Sequence, residues 1–274
     1  MNKEIVRQLQ LKQIEIMDVI HEICTNNGIR YYLIGGSCLG AVRHKGFIPW
    51  DVDIDIAMPR EDYDIFFSSL ASKLPSNLIA HTYKTDEIFD KSHGLVCMKD
   101  TVLLTQSDLE NPTIPRFGIF VDVMPLDKCP DSISDQKKHK QDYLMIKKMR
   151  KTKLVRIYKA DSFLKRMVKH VMRGMFFWVS VKTINRWQEK VMKRYADKKD
   201  AAYWCSMASH FSYEKQHMRK EIYGQPTLMD FEDRQYYCPE QPDMYLKRLY
   251  GDYMRLPNQN DQERMYQYYA VAKW

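Results

Sequence analysis

The chain has 274 residues, 45% of them apolar and 28% charged, with a formal net charge of +8. That is globular composition, long enough for one large domain or two small ones, and it excludes disordered and collagen-like classes. No window approaches the roughly 18 apolar residues a spanning helix needs, and the run GMFFWVSV, Gly174 to Val181, is bounded by Arg173 and Lys182.

The N-terminal residues mix charge with apolar side chains at helical spacing and lack an apolar signal core, so the expected location is cytoplasmic. Ile5, Leu9, Ile16, Val19, Ile20 and Ile23 predict a first helix from Glu4 to Cys24, stopped by Asn26-Asn27-Gly28. IRYYLI, Ile29 to Ile34, predicts a strand, after which Gly35-Gly36-Ser37 turns the chain into a short helix around Cys38 to Val42. The alternation of VDIDIAM, Val52 to Met58, places Asp53 and Asp55 on one strand face and Val52, Ile54 and Ile56 on the other. Pro59 opens a helix, and LIAHTY, GLVCMK and TVLLTQ read as strands, the last two joined by a hairpin turn at Lys99-Asp100. GIFVDVMPL, Gly118 to Leu126, is a further strand whose apolar interior contains Asp122. A lone buried carboxylate costs several kcal/mol, so Asp122 must find a cation or donors.

From Ser134 to about Tyr195 the pattern predicts two or three basic helices, broken near Ala160-Asp161-Ser162 and Gly174. Lys137 to Arg194 holds 19 Lys and Arg against 3 acidic residues, whereas the remainder holds 24 against 32. All the positive excess therefore sits in one segment, which points to an anionic partner. An ordinary helix with its apolar face in the core competes there with an interfacial helix on an anionic membrane surface. Nucleic acid is disfavoured because no recognition module accompanies the charge. The Tyr-rich C-terminal part, expected to be mainly packing, ends in a helix over MYLKRLYGDYM with Gly251 placed to end or kink it. Six scattered cysteines without a C-x-x-C pair suggest neither disulfides nor a zinc site.

Two Asp on one strand face, a third on a later strand, and a GGS turn before a helix form a constellation for metal-assisted chemistry at phosphorus. Carboxylates are the hard oxygen ligands that Mg²⁺ prefers, Mn²⁺ being a substitute, and the turn's amides with the helix N-terminus offer a phosphate cradle. The competing explanation is a solvated acidic edge at Asp51, Asp53 and Asp55. A calcium loop from Asp51 fails, because its sixth and twelfth positions are Ile56 and Asp62; Gly35, Gly36 and Gly40 do not fit a dinucleotide fingerprint. Arg43, His44 and Lys45, between turn and metal strand, are candidates to hold a diphosphate. Trp50 either wedges its loop against the core or stacks on a nucleobase or a quaternary ammonium group.

The run YYLIGGSCLGAVRHKGFIPWDVDIDIAMPREDYDIF, Tyr31 to Phe66, resembles the signature of the LicD family, also seen in fukutin-related proteins, within the nucleotidyltransferase superfamily. VDVMPLD (Val121 to Asp127) and YLKRLYGDYM (Tyr245 to Met254) resemble its later blocks; the basic middle is not covered. The resemblance implies an α/β (α+β) fold with a nucleotidyltransferase-type mixed sheet flanked by helices. Residues 1–130 would form the catalytic core, 131–195 a basic helical insertion, and 196–274 a C-terminal helical part completing the substrate site. It implies Mg-dependent transfer of a phospho-alcohol (phosphocholine, or glycerol or ribitol phosphate) from a CDP-activated alcohol to a cell-surface or lipid-linked glycan acceptor. Asp53, Asp55 and Asp122 would be the metal ligands and catalytic residues, Asp122 also taking the acceptor proton. Gly35, Gly36, Ser37, Arg43, His44, Lys45, Trp50 and Asp51 would line the substrate. The alternatives are an NTP-dependent nucleotidyltransferase, a D-x-D glycosyltransferase and a non-catalytic membrane-bound binding protein. The family commonly has Asp at Val52 and Thr-Leu at Ser37-Cys38. Val52 faces away from the metal side, so its departure should spare the acidic pair. A cytoplasmic, peripheral position on the inner face of the plasma membrane would suit such acceptors.

Overall fold

The computed structural model describes residues 2–110, 117–158, 161–266 and 268–274. The order is α1 (Lys3–Asn26), β1 (Tyr32–Leu33), α2 (Gly35–His44), β2 (Asp55–Pro59), α3 (Arg60–Ser68), β3 (Leu78–His81), β4 (Gly94–Met98), β5 (Val102–Thr105), α4 (Gln106–Glu110) and β6 (Phe120–Cys129). Three basic helices follow, α5 (Ile133–Lys153), α6 (Phe163–Gly174) and α7 (Val181–Met192). The remainder comprises β7 (Tyr203–Cys205), α8 (Tyr213–Gln216), β8 (Met218–Arg219), α9 (Lys220–Tyr223), β9 (Thr227–Phe231), β10 (Arg234–Cys238), α10 (Pro242–Tyr250), α11 (Gln259–Met265) and β11 (Tyr269–Lys273).

The fold is mixed α/β. The main sheet has the order β1-β2-β6-β4-β3, with β7 and β8 extending it from the far half of β6. Among the described residues only the β2–β6 pair is parallel; β4 and β7 both run antiparallel to β6. β6 is therefore the axis of the molecule, and its near-continuous apolar run reads as a strand buried on both faces. Helix α1 starts at Asn2, whose side chain accepts from the Ile5 amide, and ends before Gly28, which has a φ of 66°. Two buried glutamines lie on its sheet-facing side. Gln13 donates to the carbonyl of Val52, and Gln10 to that of Asp51.

The alternation read at Val52 to Met58 holds, since Val52, Ile54 and Ile56 are core residues. The ladder itself begins later, at Asp55. Gly35 and Gly36 form the first turn of α2 rather than a turn before it. The turn at Lys99-Asp100 exists, with Asp100 at a φ of 58°, but it makes no hairpin: β5 pairs with β11 from the chain's other end. The C-terminal part is not simply helical either: β9 and β10 form an antiparallel hairpin turned at left-handed Glu232. α10 stops at Gly251 as read. Of the expected break at Ala160-Asp161-Ser162, Ala160 lies outside the described residues; Ser162 caps α6 by accepting from the Lys165 amide.

Helices α5 and α7 pack conventionally, sharing a second core that includes Tyr143, Ile146, Ile184, Met192, Cys205 and Tyr213. All six cysteines are buried with free thiols. The first residue of α3, Arg60, is tied to the end of the parallel pair by Asp127, with Nε–Oδ1 at 2.6 Å and Nη2–Oδ2 at 2.9 Å, both side chains buried. A buried pair broken on one side leaves an uncompensated charge. Asp127→Asn should therefore cost about 3 kcal/mol of unfolding free energy, read from the urea midpoint. A change under about 1 kcal/mol would show that Asp64 and Glu189, each 3.7 Å from Arg60, suffice alone.

Candidate active site

The parallel register sets Asp55 directly beside Asp122, and Asp53 lies two residues earlier on the same side. The Asp122 amide donates to the carbonyl of Ile54 at 3.0 Å, locking the two strands where the acids gather. Opposite them stands the N-terminus of α2. The Asp55 amide donates to Ser37 Oγ at 2.9 Å, and the Gly35 amide donates to the Tyr245 hydroxyl at 3.0 Å. Ser37 is thus buried and fastened to β2, which makes it the strut between the glycine turn and the acids.

Both glycines are required by geometry. Gly35 has a φ of 53°, and a Cβ there would lie 3.5 Å from Asp55 Oδ2. A Cβ on Gly36 would collide with the Asp51 carboxylate. The acids consequently sit against bare backbone at a helix N-terminus, a cradle that any side chain would fill.

Like charge is crowded here. Burial and the neighbouring Asp53 hold the Asp51 carboxyl well above its ordinary range. Burial, then Asp122, pushes Asp53 up to about 6, and burial with the other three carboxylates raises Asp55. Asp122 goes the other way. Burial opposes its charge, but Lys91 at 3.5 Å and His93 Nε2 at 2.6 Å outweigh it and keep the carboxylate ionised. Lys91 and His93 are the partners the apolar strand demanded, and sequence reading missed them. The segment carrying them is held by the basic helices: Arg150 donates to the Lys91 carbonyl, to Ser92 Oγ and to Asn185 Oδ1, while Asn185 donates to the Phe89 carbonyl.

Among the described residues no three His, Cys, Asp or Glu side chains form a ready metal cage. Two hard carboxylates with unneutralised charge nevertheless fit a magnesium ion, which commonly takes one or two protein carboxylates and completes its shell with phosphate and water.

Gly35, Gly36, Ser37, Asp51, Asp53, Asp55 and Asp122 thus come together. Arg43, His44 and Lys45 lie at the opposite end of α2, a helix of about 15 Å; Arg43 donates to the Tyr253 carbonyl, and Lys45 terminates the helix in the left-handed region. Trp50 is 8% exposed and edge-on to His44, packed as the wedge of the two readings. The aromatic groups at the acids are instead Tyr250, whose hydroxyl is 3.9 Å from where a Gly35 Cβ would lie, and Tyr268 and Tyr269, which feel the charge of Asp53. Tyr268 and Lys91 line a cleft of about 340 Å³ together with Phe117, Phe120, Arg156 and Tyr158. No periodicity signals a C-terminal tyrosine that returns to an N-terminal site.

Residues 28–101 match the family described as LicD/FKTN/FKRP, nucleotidyltransferase domain. Over 266 residues, 96% of each chain, the sequence is 27% identical to the lipopolysaccharide cholinephosphotransferase LicD of Haemophilus influenzae. It is also 57% identical over 35 residues to the ribitol 5-phosphate transferase FKRP of mouse and of human, covering 13% of this chain and 7% of each relative.

Relieving the crowding should stabilise the metal-free protein. A carboxyl whose folded value is raised destabilises the fold when ionised, and this loss vanishes as pH falls through that value. Asp53→Asn should therefore unfold at a higher temperature than wild type at pH 7.5, by up to about 3 kcal/mol in equivalent stability, and the difference should shrink at pH 5. Equal melting at both pH values would remove the electrostatic account of Asp53.

Proposed function

We propose that the chain is a LicD-family phosphotransferase, which transfers a phospho-alcohol from a CDP-linked donor to a hydroxyl of a bacterial cell-surface polysaccharide. The transferred group is phosphocholine, or glycerol or ribitol phosphate. The acceptor oxygen bonds to the alcohol-bearing phosphorus and gives up its proton to a carboxylate of the site, the bond from that phosphorus to the bridging oxygen breaks, and CMP leaves. The observation that carries this reading is the end-to-end similarity to a cholinephosphotransferase, combined with acids gathered at a bare helix N-terminus.

Asp53 and Asp55 would hold magnesium, which supplies neutralisation of the diphosphate charge. The amides of the glycine turn and the N-terminal end of α2 would orient the donor phosphates. Asp122, pinned by Lys91 and His93, is suited to holding charge at the site, and Lys91 is the cation available to a phosphate there. The cleft at Tyr268 and Phe120 would receive the alcohol or the acceptor sugar.

A nucleotidyltransferase reading stays in view because the matched domain carries that description. It would attack the α-phosphorus of an NTP and expel pyrophosphate. Product analysis by mass and phosphorus NMR separates the two: CMP with a new phosphodiester on the glycan supports our proposal, whereas pyrophosphate with a nucleotidylated acceptor overturns it. In the same assay Asp53→Asn and Asp55→Asn should each lose well over tenfold in turnover, more than about 1.4 kcal/mol of barrier. Activity within that margin would refute the metal assignment.

A further inference from the structure

Helix α6 is turned inside out. At 100° per residue Phe163, Leu164, Met167, Val168, Val171 and Met175 share one half of its surface, and that half points to solvent. Phe163 is 85% exposed, and the turn that follows adds Phe177 at 78% and Trp178 at 68%. Two of its cations face the protein instead: Arg173 Nε donates to the Val155 carbonyl at 3.0 Å, and Lys169 pairs with Asp161 over the ring of Tyr158, while Lys165 and Arg166 are exposed. The helix buries no residue of its own. An ordinary surface helix presents the reverse arrangement, so the packing reading of this stretch does not hold for α6, although it holds for α5 and α7.

Burying such a face would gain about 25 cal/mol per Å² of apolar surface, several kcal/mol for eight large side chains. A contiguous apolar patch of this kind marks an interaction surface. A second copy of the chain fits poorly, because Lys137 to Arg194 carries 19 basic and 3 acidic residues and two such segments would be brought together. The same charge complements an anionic bilayer, and Phe and Trp beside Lys165 match the composition of helices that lie at the headgroup level. At 12 residues α6 is about 18 Å long, against a hydrocarbon core of about 30 Å, and among the described residues no helix is long and apolar enough to cross.

We infer that α6 and the turn at Phe177-Trp178 form an in-plane anchor that docks this protein on a bilayer surface containing anionic lipid. The inference does not depend on which group the enzyme transfers. A cleft of about 560 Å³, lined by Lys169 of α6 with Arg150, Lys151, Arg156 and Tyr158, shares Arg156 and Tyr158 with the cleft at Lys91 and Tyr268. Docking would therefore place the open groove leading to the carboxylates next to the lipid surface.

The test is flotation of the full chain with vesicles of phosphatidylcholine alone or with phosphatidylglycerol. Wild type should float with the anionic vesicles, less as salt rises, because exposed charges are screened. Phe163→Gln/Val171→Gln/Phe177→Gln should float at least about tenfold less with unchanged melting temperature, since no buried side chain is touched. Brominated acyl chains should quench wild-type tryptophan fluorescence, and Trp178→Phe should lose most of that quenching. Flotation equal in variant and wild type overturns the inference. So does absence of flotation with either vesicle, including the case in which wild type self-associates in solution and the variant does not.

Discussion

Crowding of like charge at the start of one parallel strand pair is the constraint on which the rest of this molecule depends. Asp51, Asp53, Asp55 and Asp122 repel one another, and without supports the chain would relax them into water. Each support has a traceable origin. Gln10 and Gln13 of α1 hold the carbonyls of Asp51 and Val52 from behind, Ser37 holds the Asp55 amide from the side, and Lys91 with His93 compensates the most enclosed carboxylate. Stability is spent on keeping an arrangement that, alone, opposes folding, a mark of a site kept for its chemistry.

The same logic ties the basic helices to the acidic cluster. Arg150 and Asn185 come from α5 and α7, yet their donors and acceptors are the backbone and side chains of residues 89–92. Arg150 is buried, and burial pulls its guanidinium down from its ordinary value, so its fixed contacts must offset that desolvation. The geometry of Lys91 against Asp122 is therefore set partly from α5 and α7, although nothing in the sequence joins the two.

What could be read from sequence follows from interaction range. The Asp53 and Asp55 pair, the buried position of Asp122, the core-facing Val52 and the helix end at Gly251 depend on local alternation or backbone conformation, which neighbouring residues encode. The supports at Lys91, His93 and Arg150 do not. They are ordinary polar residues in a loop and a charged helix, and only the fold brings them within reach of Asp122. The β5–β11 pairing was hidden for a related reason: TVLLT follows a turn that would suit a hairpin with β4, but Met98 instead donates to the Ile119 carbonyl and β5 is left to the C-terminus. Arg43, His44 and Lys45 were credible phosphate ligands by proximity along the chain, and a continuous helix carries them to the far end.

Counting charge along the sequence also misjudges what the basic segment presents. Of the 19 cations between Lys137 and Arg194, Arg150, Lys153, Arg156, Lys169, Arg173, Lys193 and Arg194 are engaged by carbonyls or carboxylates of the protein. Arg156, Lys169, Lys193 and Arg194 are each matched by a carboxylate and add little to a long-range field, whereas Arg150, Lys153 and Arg173, held by neutral carbonyls, keep their charge. The segment's net positive charge still favours an anionic surface, but charge alone does not account for the orientation of α6. A helix that needed only electrostatic attraction would turn its lysines outward and bury Val171 and Phe163. Instead Lys169 and Arg173 are drawn inward by Asp161 and the Val155 carbonyl, and the apolar half is left to meet whatever lies outside. Contact area, with charge as a guide to the surface that supplies it, is the term that decides how this face is used.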